Sequence, residues 1–333
     1  MKMTRMKKLV SVLLAGTMAI GLMVPAWAIE KEPQNINQSN REQDGMIVHT
    51  LKRTLSAVSE NAVKEELIGL GMDERVVARM ESDVLEELVA AEEIHAVIAY
   101  YEIDVNDRTV CVVPEETALA GAERSNAISP AASDYDTNKY VKVVTTTNRS
   151  SDTNGKRTYM IQTSFTWLTD PGVFGGTDFL GVSSSNCTFN RQDASGYISY
   201  RHKKYSGKNL VSDQVETKTQ TPKLQTNDDG EMLGIGFDFD LPITRYSSST
   251  GLKTDEYSEW YGYLTCKGVI VDSAIDSFYN SGTYLHQFSA ITINPTFHVV
   301  GSTQKPHLFA YIDVSASIVN KYARLTVPVQ QLT

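Results

Sequence analysis

Between residues 232 and 241 apolar and polar side chains take turns. Leu233, Ile235, Phe237, Phe239 and Leu241 occupy odd positions, and Gly234, Gly236, Asp238 and Asp240 occupy even ones. A period of two marks a half-buried strand, because successive Cβ atoms point to opposite faces of a sheet. The pattern recurs in 157–168, where Tyr159, Ile161, Phe165 and Trp167 share a face. In 284–300 Leu285, Ile291, Ile293, Phe297 and Val299 do the same. Further strands are expected at 139–147, 179–189, 196–204, 256–271, 309–317 and 323–329. No helix-length apolar period intervenes, which argues against parallel βαβ units. Antiparallel strands over residues 137–333 predict a two-sheet sandwich or jelly-roll-like domain, with one long twisted sheet as the alternative.

Before residue 104 the period is different. Leu51, Leu55, Val58, Ala62, Val63 and Leu67 recur at three- and four-residue steps, and Gly69 and Gly71 supply a helix stop. Asp73 can cap a short helix, and Ser82 or Asp83 a longer one whose stripe runs from Val84 to Tyr101. Charge is segregated in the same way. Residues 55–104 carry 13 acids and 3 bases, while residues 136–333 carry 18 of each, within a chain of net charge −9. These acids read as a solvated helix face, since glutamates on one helix diverge rather than converge on a cation. The expected class is α+β, mainly β. Its parts are a disordered polar segment at 29–49, an acidic helical module at 50–103, a linker at 104–136 and the β domain at 137–333. A helical unit this short buries little surface alone, so it should pack on the next module, self-associate or bind a partner.

Residues 1–28 read as a signal peptide. Lys2, Arg5, Lys7 and Lys8 precede an apolar run from Leu9 to Pro25, and Ala26-Trp27-Ala28 is an A-x-A cleavage pattern. This order of charge, apolar core and small residues resembles Gram-positive export signals. Nothing later is apolar enough to cross a bilayer as a helix. The expectation is a secreted chain, extracellular or loosely attached to a cell surface.

The residues that carry chemistry are sparse. There is no G-x-S-x-G, H-E-x-x-H or phosphate-cradling glycine loop, and no C-x-x-C pair. No spacing of ligands points to a metal or cofactor. The acidic balance argues against nucleic acid, whose phosphates need clustered positive charge. Asn227-Asp228-Asp229-Gly230-Glu231 fits a turn better than a calcium loop. Cys187 and Cys266 fall on inward faces, so they form either a disulfide or two separate buried thiols, and Cys111 is left over. Of 16 tyrosines, 14 follow residue 134. Tyr257, Glu259, Tyr261 and Tyr263 fall on one face of a strand and form the candidate ligand platform, for a glycan, cell-wall or protein ligand. The competing reading is a cross-strand aromatic ladder that only stabilises the sheet. The expected function is non-catalytic extracellular binding. Two alternatives are kept: a membrane-acting protein with a helical prosegment and Ser/Thr-rich strands at 143–151 and 181–188, and a hydrolase using Asp238 and Asp240.

Overall fold

The computed structural model describes residues 37–43, 45–52, 59–127, 138–151, 157–171, 176–226, 232–271, 277–288, 296–302, 305–313 and 322–332. The expected signal peptide at 1–28 and the turn at 227–231 lie outside these residues. The first half of the chain runs β1 (Asn37–Gln43), β2 (Met46–Lys52), α1 (Glu60–Gly69), α2 (Glu74–Val77), α3 (Ser82–Ala90), β3 (Glu93–Asp104), β4 (Thr109–Val113), α4 (Glu115–Ala127), β5 (Asn138–Ser151) and β6 (Arg157–Trp167). It continues with β7 (Thr177–Ser184), β8 (Cys187–Ser206), β9 (Asn209–Gln220), β10 (Lys223–Thr226), β11 (Met232–Asp240) and β12 (Arg245–Tyr246). The remaining strands are β13 (Lys253–Ile270), β14 (Ser277–Gln287), β15 (Thr296–Ser302), β16 (Lys305–Asp313) and β17 (Tyr322–Leu332).

The fold is α+β and mainly β. A ten-stranded sheet runs β1-β2-β3-β5-β6-β13-β8-β9, with β4 added to β3 and β12 to β13. A five-stranded sheet runs β10-β11-β7-β14-β17, and β15 pairs with β16. Neighbouring strands are antiparallel, as in β3–β5, β5–β6, β6–β13 and β13–β8. Side chains of the two main sheets meet in one core. Val141, Val143, Ile161 and Phe165 from the large sheet face Leu180, Val182, Phe239, Tyr284 and Leu325 from the smaller one. Phe165 and Tyr284 stack with centroids 4.3 Å apart. The approach is closest at Gly282, where an added Cβ would stand 2.2 Å from Thr145 Oγ1 and 2.3 Å from Thr163 Oγ1.

A second apolar cluster lies on the other face of the large sheet. Val63, Leu67, Val76, Val77, Leu85 and Leu88 from α1–α3 pack there with Ile94, Ile98, Val144, Met160, Tyr261 and Tyr263. The acidic segment is thus the third layer of one compact unit, Ile36–Thr333. Local chemistry explains its helices. Ser59 caps α1, accepting from the Ala62 amide at 3.3 Å. At the other end Met72 N–H donates to the Leu67 carbonyl and Gly71 N–H to the Ile68 carbonyl. That bond pair is a Schellman ending, with Gly71 in its left-handed position at φ +90°. Asp73 caps α2 through the Arg75 amide at 2.9 Å.

Three expected boundaries move. The polar segment at 29–49 contains β1 and the start of β2, which extend the large sheet. The helix read from Ser82 to Tyr101 ends at Ala90, and Glu93–Asp104 is a central strand between β2 and β5. Both faces of β3 are buried, so it shows a continuous apolar run that a helical stripe can imitate. Within the expected linker at 104–136 the short strand that the sequence allows near 108–113 forms as β4, but a helix, α4, follows it and packs Ala118 and Ala122 against the sheet.

Candidate functional site

Strand β13 does not keep its four candidate residues on one face. Tyr257 pairs with His202 and Ser258 with Arg201, yet Tyr261 is the next paired residue, opposite Ser199. Glu259 and Trp260 therefore oppose a single residue, Tyr200, which is a β-bulge. Glu259 takes the left-handed conformation at φ 56° that such a bulge requires. The extra residue inverts the parity of the strand. Tyr257 points into the core between the sheets, stacked 4.3 Å from His202, whereas Tyr261 and Tyr263 point under the helices. The solvent-facing platform expected from the sequence is not formed, because Tyr261 is 2% exposed and Tyr263 3%. Glu259 alone of the four is exposed, held by Arg201 at 3.0 Å and Arg75 at 3.6 Å.

The two covered tyrosines belong to a cluster. Arg79 Nε donates to the Tyr261 hydroxyl at 3.0 Å, and the Arg75 guanidinium lies 4.7 Å above the same ring. Arg75 is fixed by a two-point pair with Asp73, Nη2 to Oδ2 at 2.7 Å and Nε to Oδ1 at 3.0 Å. Tyr197 of β8 sits edge-on to Tyr261 and donates its hydroxyl to the Val76 carbonyl at 3.3 Å. Sequence reading missed Tyr197 and Arg79. Tyr197 lies on an expected strand, but nothing in the chain's order says that α2 lies across it.

Two clefts open where the Arg79–Val84 segment overhangs β8, β9 and β13. One has a volume of about 320 Å³ and is walled by Arg79, Tyr197, Thr217, Thr219 and Tyr263. The other, about 190 Å³, is walled by Asp83, Glu87, Asp193, Thr265 and Lys267. They share Glu81, Val84 and Ser195, so they adjoin. Lys267 is engaged by Glu87 at 2.5 Å. Glu81, Asp83 and Asp193 make no ion pair among the described residues, which leaves the smaller cleft acidic, while Arg79 and Glu81 balance in the larger one. Burial pushes the Tyr263 phenol up, with nearby Thr265 acting in the opposite sense. Neither the Tyr263 hydroxyl nor Thr265 Oγ1 has a partner at hydrogen-bond geometry among the described residues.

The other candidates are placed differently. Cys187 and Cys266 are both free and buried, and no disulfide joins them. They lie on neighbouring strands out of register, Cys187 opposite Ile270 and Cys266 opposite Ala194, so a bond would need the backbone to shift. Burial raises the Cys187 thiol to about 12 and the Cys266 thiol well above its ordinary value. Both are therefore poor nucleophiles. Cys111 is exposed. Asp238 and Asp240 face outward on β11 and border neither cleft. The Asp238 carboxyl is raised by desolvation, with Lys223 opposing and Asp240 adding to it. Among the described residues no helix is long and apolar enough to cross a membrane.

No protein-family model and no curated protein matches the chain. Among solved structures it has a likeness to the Clostridium perfringens NetB toxin in the membrane inserted form. The two are 10% identical over 72% of this chain and 90% of that one, with a TM-score of 0.18.

Proposed function

We propose that the chain is an exported, non-catalytic binding protein whose adjoining clefts take a hydroxyl-rich, amine-bearing glycan. The observation that carries this reading is the make-up of the adjoining clefts, with Tyr197, Thr217 and Thr219 on the wall of one and Asp83, Asp193 and Glu81 on the wall of the other. The hydroxyls of Thr217 and Thr219 on the cleft wall can donate to and accept from the hydroxyls of a bound sugar. The half-buried ring of Tyr197 offers apolar surface of the kind on which sugar C–H faces rest. Glu81, Asp83 and Asp193 favour a protonated amine over an acidic sugar. Export rests on the charge, apolar run and cleavage pattern of residues 1–28.

Calorimetric titration with oligomers of glucosamine and of N-acetylglucosamine tests the reading. The free-amine series should bind more tightly. Tyr197→Ala and Asp193→Asn should each weaken binding by about tenfold, the equivalent of one charge-assisted contact. Absence of binding in both series, or equal binding by both variants and the parent chain, would sink it.

A further inference from the structure

We infer that the neighbouring tips of two hairpins, β8–β9 and β12–β13, form a surface that docks on anionic lipid headgroups. Pairing brings these tips side by side. Tyr246 pairs with Lys253, Asp255 with Lys204, and Tyr205 with Leu210, so one end of the sheet carries all three pairs. The β8–β9 tip is a tight two-residue turn, Gly207-Lys208, with Gly207 at φ +63°. Left-handed glycine at the first turn position matches the twist of the strands, so the tip projects as an extension of the sheet.

The surface there combines two features. Leu210, Val211 and Tyr246 are each more than half exposed, and they are three of the seven large hydrophobic side chains exposed among the described residues. Apolar exposure is thus concentrated on these hairpins rather than scattered. Charge is the second feature. Residues 201–218 and 245–256 together hold seven Lys or Arg and four acids, in a chain of net charge −9. Asp213 is taken up by Arg201, and Glu216 by His202. Lys204, Lys208 and Arg245 make no ion pair among the described residues. The acid excess lies elsewhere, in residues 55–104.

A bilayer surface fits this mixture. Aliphatic side chains enter the boundary between headgroups and acyl chains, a tyrosine ring rests at that level, and lysines meet lipid phosphates. The molecule's own charge distribution would orient it, tips toward an anionic surface and acidic segment away. A purely apolar partner would leave the lysines unpaired, and a purely acidic one would leave the aliphatic residues in water.

Co-sedimentation of the full chain with vesicles tests the inference, using phosphatidylcholine alone and phosphatidylcholine mixed with phosphatidylglycerol. Binding should appear only with the anionic mixture and fall as salt is raised. Lys204→Glu and Lys208→Glu should each weaken partitioning roughly fivefold or more, the equivalent of one headgroup contact per lysine. Leu210→Ser with Val211→Ser should weaken it while leaving the circular dichroism unchanged. No binding to anionic vesicles would overturn the inference. Equal binding to neutral vesicles, or full binding by the charge-reversed variants, would do the same.

Discussion

Glu259 holds a backbone conformation at φ 56° that only glycine adopts without strain. Its carboxylate is paired with Arg201 and Arg75 in an exposed setting, where such pairs contribute little. Glu259→Gly should therefore leave the melting temperature equal or higher. Glu259→Val, β-branched and without the carboxylate, should lower stability by about 1–2 kcal/mol in a denaturant titration. A destabilised glycine variant would show that the ion pairs, not the bulge, set the local geometry. Tyr263 gives a second residue-scale prediction. Removing a hydroxyl that has no partner should not cost stability, so Tyr263→Phe should melt at or above the parent temperature while keeping its affinity for the free-amine oligomer. A variant that melts lower and still binds would mean that the hydroxyl serves the fold. The tyrosines also show where sequence reading stops. Their types and strand were legible from alternation. Their faces were not, because the bulge depends on the residue that β8 sets opposite.

Helix ends were readable because their chemistry is local. Gly71 and Asp73 stand where a Schellman ending and an N-cap need them, and both interactions form within a few residues. Gly71→Ala is the sharpest check on that layer. A Cβ there would stand 2.2 Å from Ile98 Cδ1 at φ +90°, so strain adds to overlap. The loss should reach about 2 kcal/mol or more, measured as a fall in the denaturation midpoint at unchanged slope. A shift within about 0.5 kcal/mol would mean that the α1–α2 turn relaxes freely and that its seat on β3 is loose. Strand β3 was illegible for the opposite reason. Ile94, Ala96 and Ile98 face the helices while Val97, Ala99 and Tyr101 face the other sheet. With both faces buried there is no polar alternation left to read. Most of the Ser/Thr-rich stretches that suggested a pore lining, 143–148 and 181–184, are buried as well. Thr145 and Thr163 meet the second sheet at Gly282, and Thr146 donates to Gln162 beneath the helices.

At the scale of the whole molecule, three strands of the large sheet are tied together near a hairpin end by a clamp that no local pattern announces. His202 of β8 sits between Glu216 of β9, at 2.6 Å, and Asp255 of β13, at 2.9 Å, with only 6% of its side chain exposed. Its ring also stacks on Tyr257. One side chain thus joins three strands whose sequence separations reach 53 residues. The hydrogen bond to His202 holds the Glu216 carboxyl below its ordinary value, against partial desolvation. It does the same for Asp255. A carboxyl whose folded value is depressed adds stability above its unfolded value, about 4, and loses it as pH falls through the lower folded value. The hairpin end should therefore loosen first on acidification below about pH 4, where these two groups take up protons more readily in the unfolded chain. His202→Phe keeps the stacked ring and removes both hydrogen bonds. It should melt lower than the parent at pH 7, but its melting temperature should fall less steeply between pH 4 and pH 2. Parallel slopes for the two proteins would place the acid sensitivity elsewhere, for which Asp73, held down by Arg75 against its burial, is the next group to test. Hydrogen exchange separates the cases, since loss at the clamp exposes the amides of β9, and loss at Asp73 those of α2.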